Sequence, residues 1–249
     1  MKENKLISIA IATYNGEKFL REQLDSIYNQ TYKNIEVIVC DDCSTDGTVK
    51  ILEEYSQKYG LKYYINEKNL GLNKNFEKVL KLCNGEYIAI SDQDDIWLPQ
   101  KLAILMNEIG NATLIHCDSS IINQNGEILY ISGKEKAKVK DLCLNSDKHT
   151  AMVSFVAGHS MIFHKNSLAY ALPLPYKEDY DRWIPIVASK MNGIKYVDQP
   201  LVLHRHHQTN SSARRKFLFI YKFYMAIGKY FYRILRKAYR NLILAKRGL

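Results

Sequence analysis

The sequence of 249 residues predicts an α/β fold, in which helices flank a mostly parallel, Rossmann-like central sheet. Short and nearly continuous apolar runs recur along the first half of the chain, as in strands that are buried on both faces. Each run is followed by a segment whose apolar residues recur with the helical period. Strands and helices that alternate in this way are joined by right-handed crossovers, so ligands are expected at the carboxyl ends of the strands.

The first four predicted strands are apolar runs that end at polar turns. The first run ends at the turn 14–16, and the second ends at the acidic stretch 41–47. The helix after the second strand is expected to be capped by Ser44 or Asp46. The predicted strands of this half span 6–13, 35–40, 61–65 and 87–91, and the helices begin near residues 19, 46, 76 and 99.

The second half of the chain is less regular. A predicted strand over 112–117 ends at Asp118, and a hairpin with an Asn125-Gly126 turn follows it. Residues 133–149 are rich in charge and predict a loop. The remaining predicted elements are a strand pair over 152–163 with a bend at Gly158 and a helix over 179–191, and residues 201–207 close the body.

The fourth strand ends in three carboxylates, Asp92, Asp94 and Asp95. Alternate side chains of an extended chain point the same way, so Asp92 and Asp94 are expected to converge. Two such carboxylates repel each other unless a cation lies between them. Hard oxygen ligands suit Mg²⁺ or Mn²⁺, which leave positions for phosphate oxygens. The alternative is an acidic turn before a helix, with Asp95 as the N-cap and Pro99 in the first turn.

The net charge of +9 divides unevenly along the chain. Residues 214–249 hold 11 Lys/Arg and no Asp/Glu, which leaves 24 basic and 26 acidic residues in 1–213. A body with a net charge of −2 disfavours nucleic acid as a partner. An odd number of cysteines and a polar start without a signal peptide predict a reducing, cytoplasmic location. We interpret the C-x-x-C of Cys40 and Cys43 as coincidence, because the carboxylates between them raise a thiol pKa.

Several motifs together resemble those of a family 2 glycosyltransferase of GT-A fold. The motifs are ATYNG at 12–16, DDCSTDGT at 41–48, GEYIAISDQDD at 85–95 and YDRW at 180–183. The D-x-D-D-x-W form and the R-x-H at 205–207 look like bacterial rhamnosyl- or galactosyl-type members, which build surface polysaccharide. The resemblance spans residues 6–210 and implies a catalytic domain over 1–213.

The resemblance also implies a role for individual residues at the donor. Tyr14 would offer a stacking face to the nucleotide base, and Asp42 would accept a hydrogen bond from a pyrimidine N3–H. Asp92 would lie near the ribose or the metal, and Asp94 would bind Mg²⁺ or Mn²⁺, which in turn holds the diphosphate. The alternatives are a turn aromatic that packs on the sheet and an acidic turn that leads into a helix.

On the acceptor side, the resemblance implies that Asp181 is the general base of an inverting transfer. Tyr180 precedes it and is expected to help bind the acceptor. Arg205 would clamp phosphate, and His207 would bind phosphate or complete the metal shell. The alternative for Asp181 is an acidic first turn that complements the helix dipole.

The segment 214–249 predicts a basic amphipathic helix. Its Lys and Arg residues trace one face, and the opposite face carries aliphatic and aromatic residues, Leu242 among them. Such a helix lies in a membrane interface and is attracted to anionic lipid. The alternative is a helix that packs on the body or on a second subunit, as in a homo-oligomer.

Together with these observations, the resemblance implies a metal-dependent, inverting glycosyltransferase at the inner face of a bacterial membrane. Its donor would be a UDP- or dTDP-sugar, and its acceptor would be a lipid-linked saccharide. The enzymatic alternative is a sugar-phosphate nucleotidylyltransferase, but ATYNG is not the Gly- and Arg-rich loop that such an enzyme needs. The non-enzymatic alternative is a membrane-bound saccharide-binding protein. Such a protein has no need of all four of the carboxylates of Asp42, Asp92, Asp94 and Asp181.

Overall fold

The computed structural model describes residues 4–131, 156–175, 178–207 and 239–249, which form one mixed sheet with helices on both faces. The strands are β1 (Ile7–Thr13), β2 (Ile35–Asp41), β3 (Lys62–Ile65), β4 (Tyr87–Ser91), β5 (Ile96–Trp97), β6 (Leu114–Ile122), β7 (Ile128–Ile131), β8 (Met161–His164) and β9 (Ile194–Arg205). The helices are α1 (Leu20–Tyr28), α2 (Thr48–Tyr59), α3 (Leu72–Leu82), α4 (Lys101–Glu108), α5 (Leu168–Ala171) and α6 (Tyr180–Lys190), and a C-terminal helix spans 239–246.

The strands follow the order β3-β2-β1-β4-β8-β6-β9-β5, and β7 pairs with β6. Strands β1 to β4 are parallel and alternate with helices, as the sequence predicts. Strand β8 is antiparallel to both β4 and β6, whereas β6 and β9 are parallel. The predicted α/β fold is confirmed. Its second half is mixed because β6 and β7 form a hairpin and the short β5 folds back onto β9.

Apolar side chains cover the sheet on both faces. Along β1 they alternate, with Ile7, Ile9 and Ile11 on one face and Ala10 and Ala12 on the other. Helices α1, α2 and α4 pack on the first face, and α3 and α6 pack on the second. Because β1, β2 and β4 are largely buried on both sides, the loops at their carboxyl ends start from fixed positions.

The structure corrects the predicted role of Asp95. Helix α4 begins at Lys101 with Gln100 at its N-cap position, so Asp95 does not cap it. The sequence pattern did not reveal β5, a two-residue strand that follows Asp95 and pairs with β9. This pairing carries Asp95 into the protein, where its side chain is fully buried. Helix α3 also differs, because it begins at Leu72 rather than near residue 76.

The two cysteines of the C-x-x-C are free thiols. Cys40 is buried at the end of β2, and burial, with a contribution from Asp42, raises its pKa to about 11. Such a thiol is a poor nucleophile at neutral pH. The interpretation of this motif as coincidence agrees with its environment.

The C-terminal helix packs on the body through a face that the sequence pattern did not indicate. Leu244 is 3% exposed and joins the apolar layer around α6, whereas Leu242 is 55% exposed. The rest of the segment 214–249, like the predicted loop 133–149, lies outside the described residues. Within the described ranges, no helix combines the length and the apolar character that a bilayer span requires.

Candidate active site

Three loops that carry predicted site residues begin at one edge of the sheet. Strand β1 lies between β2 and β4, and all three are parallel, with Thr13 opposite Asp41 and Ile11 opposite Ser91. Their carboxyl ends therefore lie side by side. Tyr14, Asp42 and Asp92 follow or end these strands and so emerge at the same edge.

The loop after β1 is fastened to the loop after β2 by polar contacts. Asn15 adopts a left-handed backbone conformation, with φ of 48°, and its amide donates to Ser44 Oγ over 2.9 Å. Asn15 Oδ1 accepts the amide of Thr45 at 2.9 Å, and the amide of Gly16 donates to Thr48 Oγ1 at 2.8 Å. These bonds explain why ATYNG and DDCSTDGT occur together, because each loop satisfies the backbone of the other.

The carboxylate of Asp42 is buried and is oriented by the loop that leads into α3. Its Oδ1 accepts from Asn66 Nδ2 and from the amide of Leu70, and its Oδ2 accepts from the amide of Gly71, each at 2.8 Å. Oδ2 thus accepts a single one of these bonds and retains acceptor capacity for a base N–H. Tyr14 leaves 48% of its surface exposed, so its ring is accessible to a ligand.

Gln93 connects the Tyr14 loop to the carboxylate loop. Its Oε1 accepts the amide of Tyr14 at 2.9 Å, and its Nε2 donates to the carbonyl of Tyr14 at 3.1 Å. A Cβ on Gly16 would lie 2.5 Å from Gln93 Oε1, so only glycine leaves room for this contact. The residue between Asp92 and Asp94 therefore fixes the carboxylates against the loop that carries Tyr14.

We expect Gln93→Met to weaken nucleotide binding by about tenfold, because it keeps the length of the side chain but removes two hydrogen bonds to Tyr14. Isothermal titration with nucleoside diphosphates measures the effect. The matched control is Gln100→Met, since Gln100 lies at the start of α4 and makes no side-chain cap bond there. Unchanged affinity in Gln93→Met would show that the contact does not position the donor site.

The three carboxylates after β4 have different environments. Asp92 is partly exposed, and its Oδ1 accepts from the hydroxyl of Tyr180 at 3.2 Å. Asp94 Oδ2 lies 2.7 Å from His207 Nε2. Burial, together with the charges of Asp95 and Asp92, raises the pKa of Asp94, although contact with His207 opposes the rise. The pairing of Asp94 with His207 joins two residues that the sequence predicted for this site.

Asp95 is fully buried at the bottom of the site. Its Oδ1 lies 2.9 Å from His204 Nδ1 and accepts the amide of Arg205 at 3.0 Å, while its Oδ2 lies 3.3 Å from His159 Nδ1. Burial opposes ionisation of Asp95, but the two histidines and the amide outweigh it and hold its pKa below the usual range. The sequence did not indicate roles for His159 and His204, because nothing in the local pattern shows that β9 and residue 159 converge on Asp95.

Among the described residues, one set of His and acidic side chains has the spacing of a metal site. Asp95, His159 and His204 present ligand atoms that lie within 4.8 Å of one another. Lys101 Nζ donates to the carbonyl of His159 at 2.7 Å, and burial lowers the pKa of Lys101 to about 7, although the charges of Asp95 and Asp92 oppose the fall. The predicted ligands Asp92 and Asp94 lie outside this set, as does His207, although the Asp92 side chain is 31% exposed and so accessible to a ligand. Their carboxylate and imidazole groups are of the kinds that bind Mn²⁺ or Mg²⁺.

Arg205 is buried beneath the carboxylate loop. Its Nε donates to the carbonyl of Asp94 at 3.0 Å, and its Nη2 lies 2.5 Å from Glu22 Oε2. Its Nη1 donates to the carbonyls of Asn123 and Gln124 at 3.3 and 3.2 Å. These contacts give Arg205 a positioning role, and the predicted phosphate clamp stays a prediction.

Asp181 lies in the first turn of α6, next to the residue that contacts Asp92. The hydroxyl of Tyr180 reaches Asp92, and its ring packs on Phe76 with 3.9 Å between centroids. A Cβ on Gly158 would lie 2.8 Å from the Tyr180 hydroxyl, so this glycine makes room for the contact. Tyr180 is only 5% exposed, which indicates that it positions Asp92. The acceptor-binding role predicted for Tyr180 stays a prediction.

The model of the glycosyl transferase family 2 matches residues 8–168. An uncharacterized glycosyltransferase of Methanocaldococcus jannaschii is 33% identical over 232 residues, which are 89% of this chain and 78% of the relative. The Escherichia coli protein WfgD, a UDP-Glc:alpha-D-GlcNAc-diphosphoundecaprenol beta-1,3-glucosyltransferase, is 28% identical over 84% of this chain and 80% of its own.

Two solved structures share the fold. TarS 1-349 of S. aureus in complex with UDP-GlcNAc superposes with a TM-score of 0.66 and 24% identity over 81% of this chain and 58% of its own. The mannosyltransferase PcManGT of Pyrobaculum calidifontis, in complex with GDP-Man and Mn2+, superposes with a TM-score of 0.64. It is 19% identical over 86% of this chain and 60% of its own. The chain thus spans somewhat less than two thirds of either solved chain. With the family model matched over most of its sheet, this chain is a glycosyltransferase and belongs to glycosyl transferase family 2.

Proposed function

We propose that the protein transfers a sugar from a nucleotide-sugar donor, a UDP- or dTDP-sugar, to a lipid-linked saccharide, with inversion at the anomeric carbon. The observation that carries the proposal is the convergence on the β4 carboxylates of residues from distant segments: His207 contacts Asp94, and Tyr180 contacts Asp92. The similarity to WfgD, a glucosyltransferase named for a UDP-sugar donor and a diphosphoundecaprenol acceptor, supports both the donor class and the acceptor class.

The nucleoside would bind at the edge formed by β1 and β2. The exposed ring of Tyr14 would stack on the base, and Asp42 Oδ2 would accept its N3–H. The contact of Gln93 with Tyr14 would keep this edge at a constant distance from Asp92 and Asp94. A base held here therefore places its diphosphate toward the carboxylate loop.

Asp92, Asp94 and His207 would hold a divalent cation, and the complex of PcManGT with Mn2+ supports this part of the proposal. The bound cation would neutralise charge that develops on the leaving diphosphate. Asp94 must be ionised to bind a cation. Burial raises the pKa of Asp94, and the contact with His207 opposes this rise.

Asp181 would take the proton of the acceptor hydroxyl as that oxygen attacks the anomeric carbon from the face opposite the diphosphate. A single displacement of this kind inverts the configuration, and one carboxylate on the acceptor side suffices. The Tyr180–Asp92 contact would hold the first turn of α6 against the donor site.

The products test this proposal. The protein is incubated with UDP-, dTDP- and GDP-sugars and a lipid-linked saccharide, and the products are identified by mass spectrometry and proton NMR. We expect a nucleoside diphosphate and a glycoside of inverted configuration. Release of pyrophosphate from a sugar phosphate and a nucleoside triphosphate would identify a nucleotidylyltransferase instead, and saccharide binding without turnover would identify a binding protein.

We also propose that the segment 214–238 attaches the protein to the cytoplasmic face of the membrane. Each Lys or Arg near an anionic surface contributes about 1 kcal/mol, so replacing Arg233, Arg236 and Lys237 with glutamine should weaken binding to anionic vesicles by about 3 kcal/mol. Vesicle sedimentation at low and high salt measures this change, and neutral vesicles are the control. If the full-length chain stays in the supernatant with anionic vesicles, the segment serves packing or dimerisation instead.

A further inference from the structure

We infer that the C-terminal helix is part of the active-site framework, because Arg240 holds Glu178, which lies just before the first turn of α6 that carries Asp181. The inference rests on the proposed role of Asp181 as the base. Arg240 Nε donates to Glu178 Oε1 at 2.9 Å, and Arg240 Nη2 donates to Glu178 Oε2 at 2.5 Å. A two-point contact of this type fixes direction as well as distance.

Glu178 is fully buried, and Arg240 lies directly against its charge. Its carboxylate has no exposed surface, and the Arg240 side chain is only 17% exposed. A buried carboxylate that loses its counter-charge is strongly disfavoured, and the chain around it rearranges to reach water. The position of the backbone at residue 178 therefore depends on Arg240.

Glu178 lies three residues before Asp181, and the chain between them is held by a second side chain. Asn73 Nδ2 donates to the carbonyl of Glu178 at 3.0 Å, and Asn73 Oδ1 accepts the amide of Tyr180 at 3.2 Å. The amide of Trp183 donates to the carbonyl of Asp179 at 2.9 Å and begins α6. Helix α3 and the C-terminal helix thus hold residues 178–180 from two sides. These contacts restrict the position of the first turn of α6.

The C-terminal segment has a second attachment, through Arg247, which does not contact Glu178, although its guanidinium also lies 5.7 Å from the Trp183 ring of α6. Arg247 Nη1 donates to the carbonyl of Tyr170 at 2.5 Å, and its Nη2 donates to the carbonyl of Pro173 at 2.8 Å. Leu244 is buried against the same part of the body. Loss of Arg247 should therefore weaken docking of the helix without releasing Glu178, which makes it a matched control for Arg240.

The test compares Arg240→Gln with Arg247→Gln in the full-length chain. We expect Arg240→Gln to lower kcat for transfer by about ten- to hundredfold, since a displacement of Asp181 by about 1 Å costs this much. The KM for the donor should change by less than about twofold. Arg247→Gln should lower the thermal midpoint but leave kcat within about twofold at a temperature where both variants are folded. Arg240→Lys keeps the charge without the two-point contact, so it should retain only part of the wild-type kcat.

A double substitution tests the inference even if Arg240→Gln does not fold. Glu178→Met with Arg240→Met removes both charges and should fold, yet it should show the same loss of kcat with normal donor affinity. Equal losses of kcat in Arg240→Gln and Arg247→Gln, or a normal kcat in folded Arg240→Gln, would overturn the inference. Absence of transfer in the wild-type protein would instead contradict the proposed function, so the two failures are distinguishable.

Discussion

Asp94→Asn is expected to abolish metal-dependent binding of the nucleotide. The substitution keeps the size of the side chain but removes the charge, and its Oδ2 lies 2.7 Å from His207 in the wild-type protein. Because a ligand bonded directly to a metal matters more than its outer contacts, we expect a loss of about 100-fold or more in nucleotide affinity with Mn²⁺ present. Isothermal titration with nucleoside diphosphate, with and without Mn²⁺, measures the loss.

The fold should survive this substitution, because it relieves repulsion between neighbouring carboxylates. Asp198→Asn is the control, since Asp198 is exposed on β9 and contacts Tyr196 rather than the carboxylate loop. If the Asp94→Asn variant bound the donor normally in the presence of metal, Asp94 would not be a metal ligand.

Lowering the pH should weaken metal-dependent binding of the nucleotide. Burial and neighbouring charge raise the pKa of Asp94, so protons compete with the cation at a higher pH than they would for an ordinary aspartate. Metal-dependent affinity is therefore expected to be full above this raised pKa and to fall as the pH drops through it. Titrations across a pH series give the midpoint.

Asp181→Asn is expected to lower kcat for transfer by about 10²- to 10⁴-fold, the usual contribution of a general base. Donor affinity should not change, because Tyr14, Asp42 and Asp94 lie on other loops. Single-turnover kinetics with saturating donor, combined with donor titration, separates the two effects.

Asp179→Asn provides the matched control for Asp181. Asp179 occupies the N-cap position of α6, and asparagine serves equally well there, so turnover should remain near the wild-type value. Near-normal turnover in Asp181→Asn would show that the acidic first turn merely starts the helix.

Local periodicity was sufficient to predict the first half of the sheet. Each of β1, β2 and β4 is a buried apolar run, and its polar end carries Tyr14, Asp42 or Asp92. The parallel topology then brings these residues to one edge without any further information. The same reasoning also placed Asp181 in the first turn of a helix, where the structure has it.

The role of Asp95 could not be predicted, because its environment depends on pairing over a long sequence distance. Its partners His204 and Arg205 lie more than 100 residues away, and β5, which brings them together, has only two residues. A local pattern of this length contains no strand signal. The acidic turn therefore resembled a helix cap, although Asp95 is a buried anchor.

The face through which the C-terminal helix packs could not be predicted for a related reason. The periodicity of 214–249 indicated that Arg240 and Arg247 would face lipid, but both contact the body, and Leu242 is exposed. Arginines that pair with a buried carboxylate or with backbone carbonyls have the same spacing as arginines on a solvated face. Only the buried Glu178, 62 residues away, distinguishes the two cases.

The release of nucleoside diphosphate from a panel of UDP-, dTDP- and GDP-sugars, measured with and without Mn²⁺, tests the central claim most directly. The wild-type protein should release nucleoside diphosphate from at least one donor class with Mn²⁺ present, and excess chelator or Asp94→Asn should stop the release. An equal rate with excess chelator, or no release from any donor with a lipid-linked acceptor present, would contradict a metal-dependent transfer at this site.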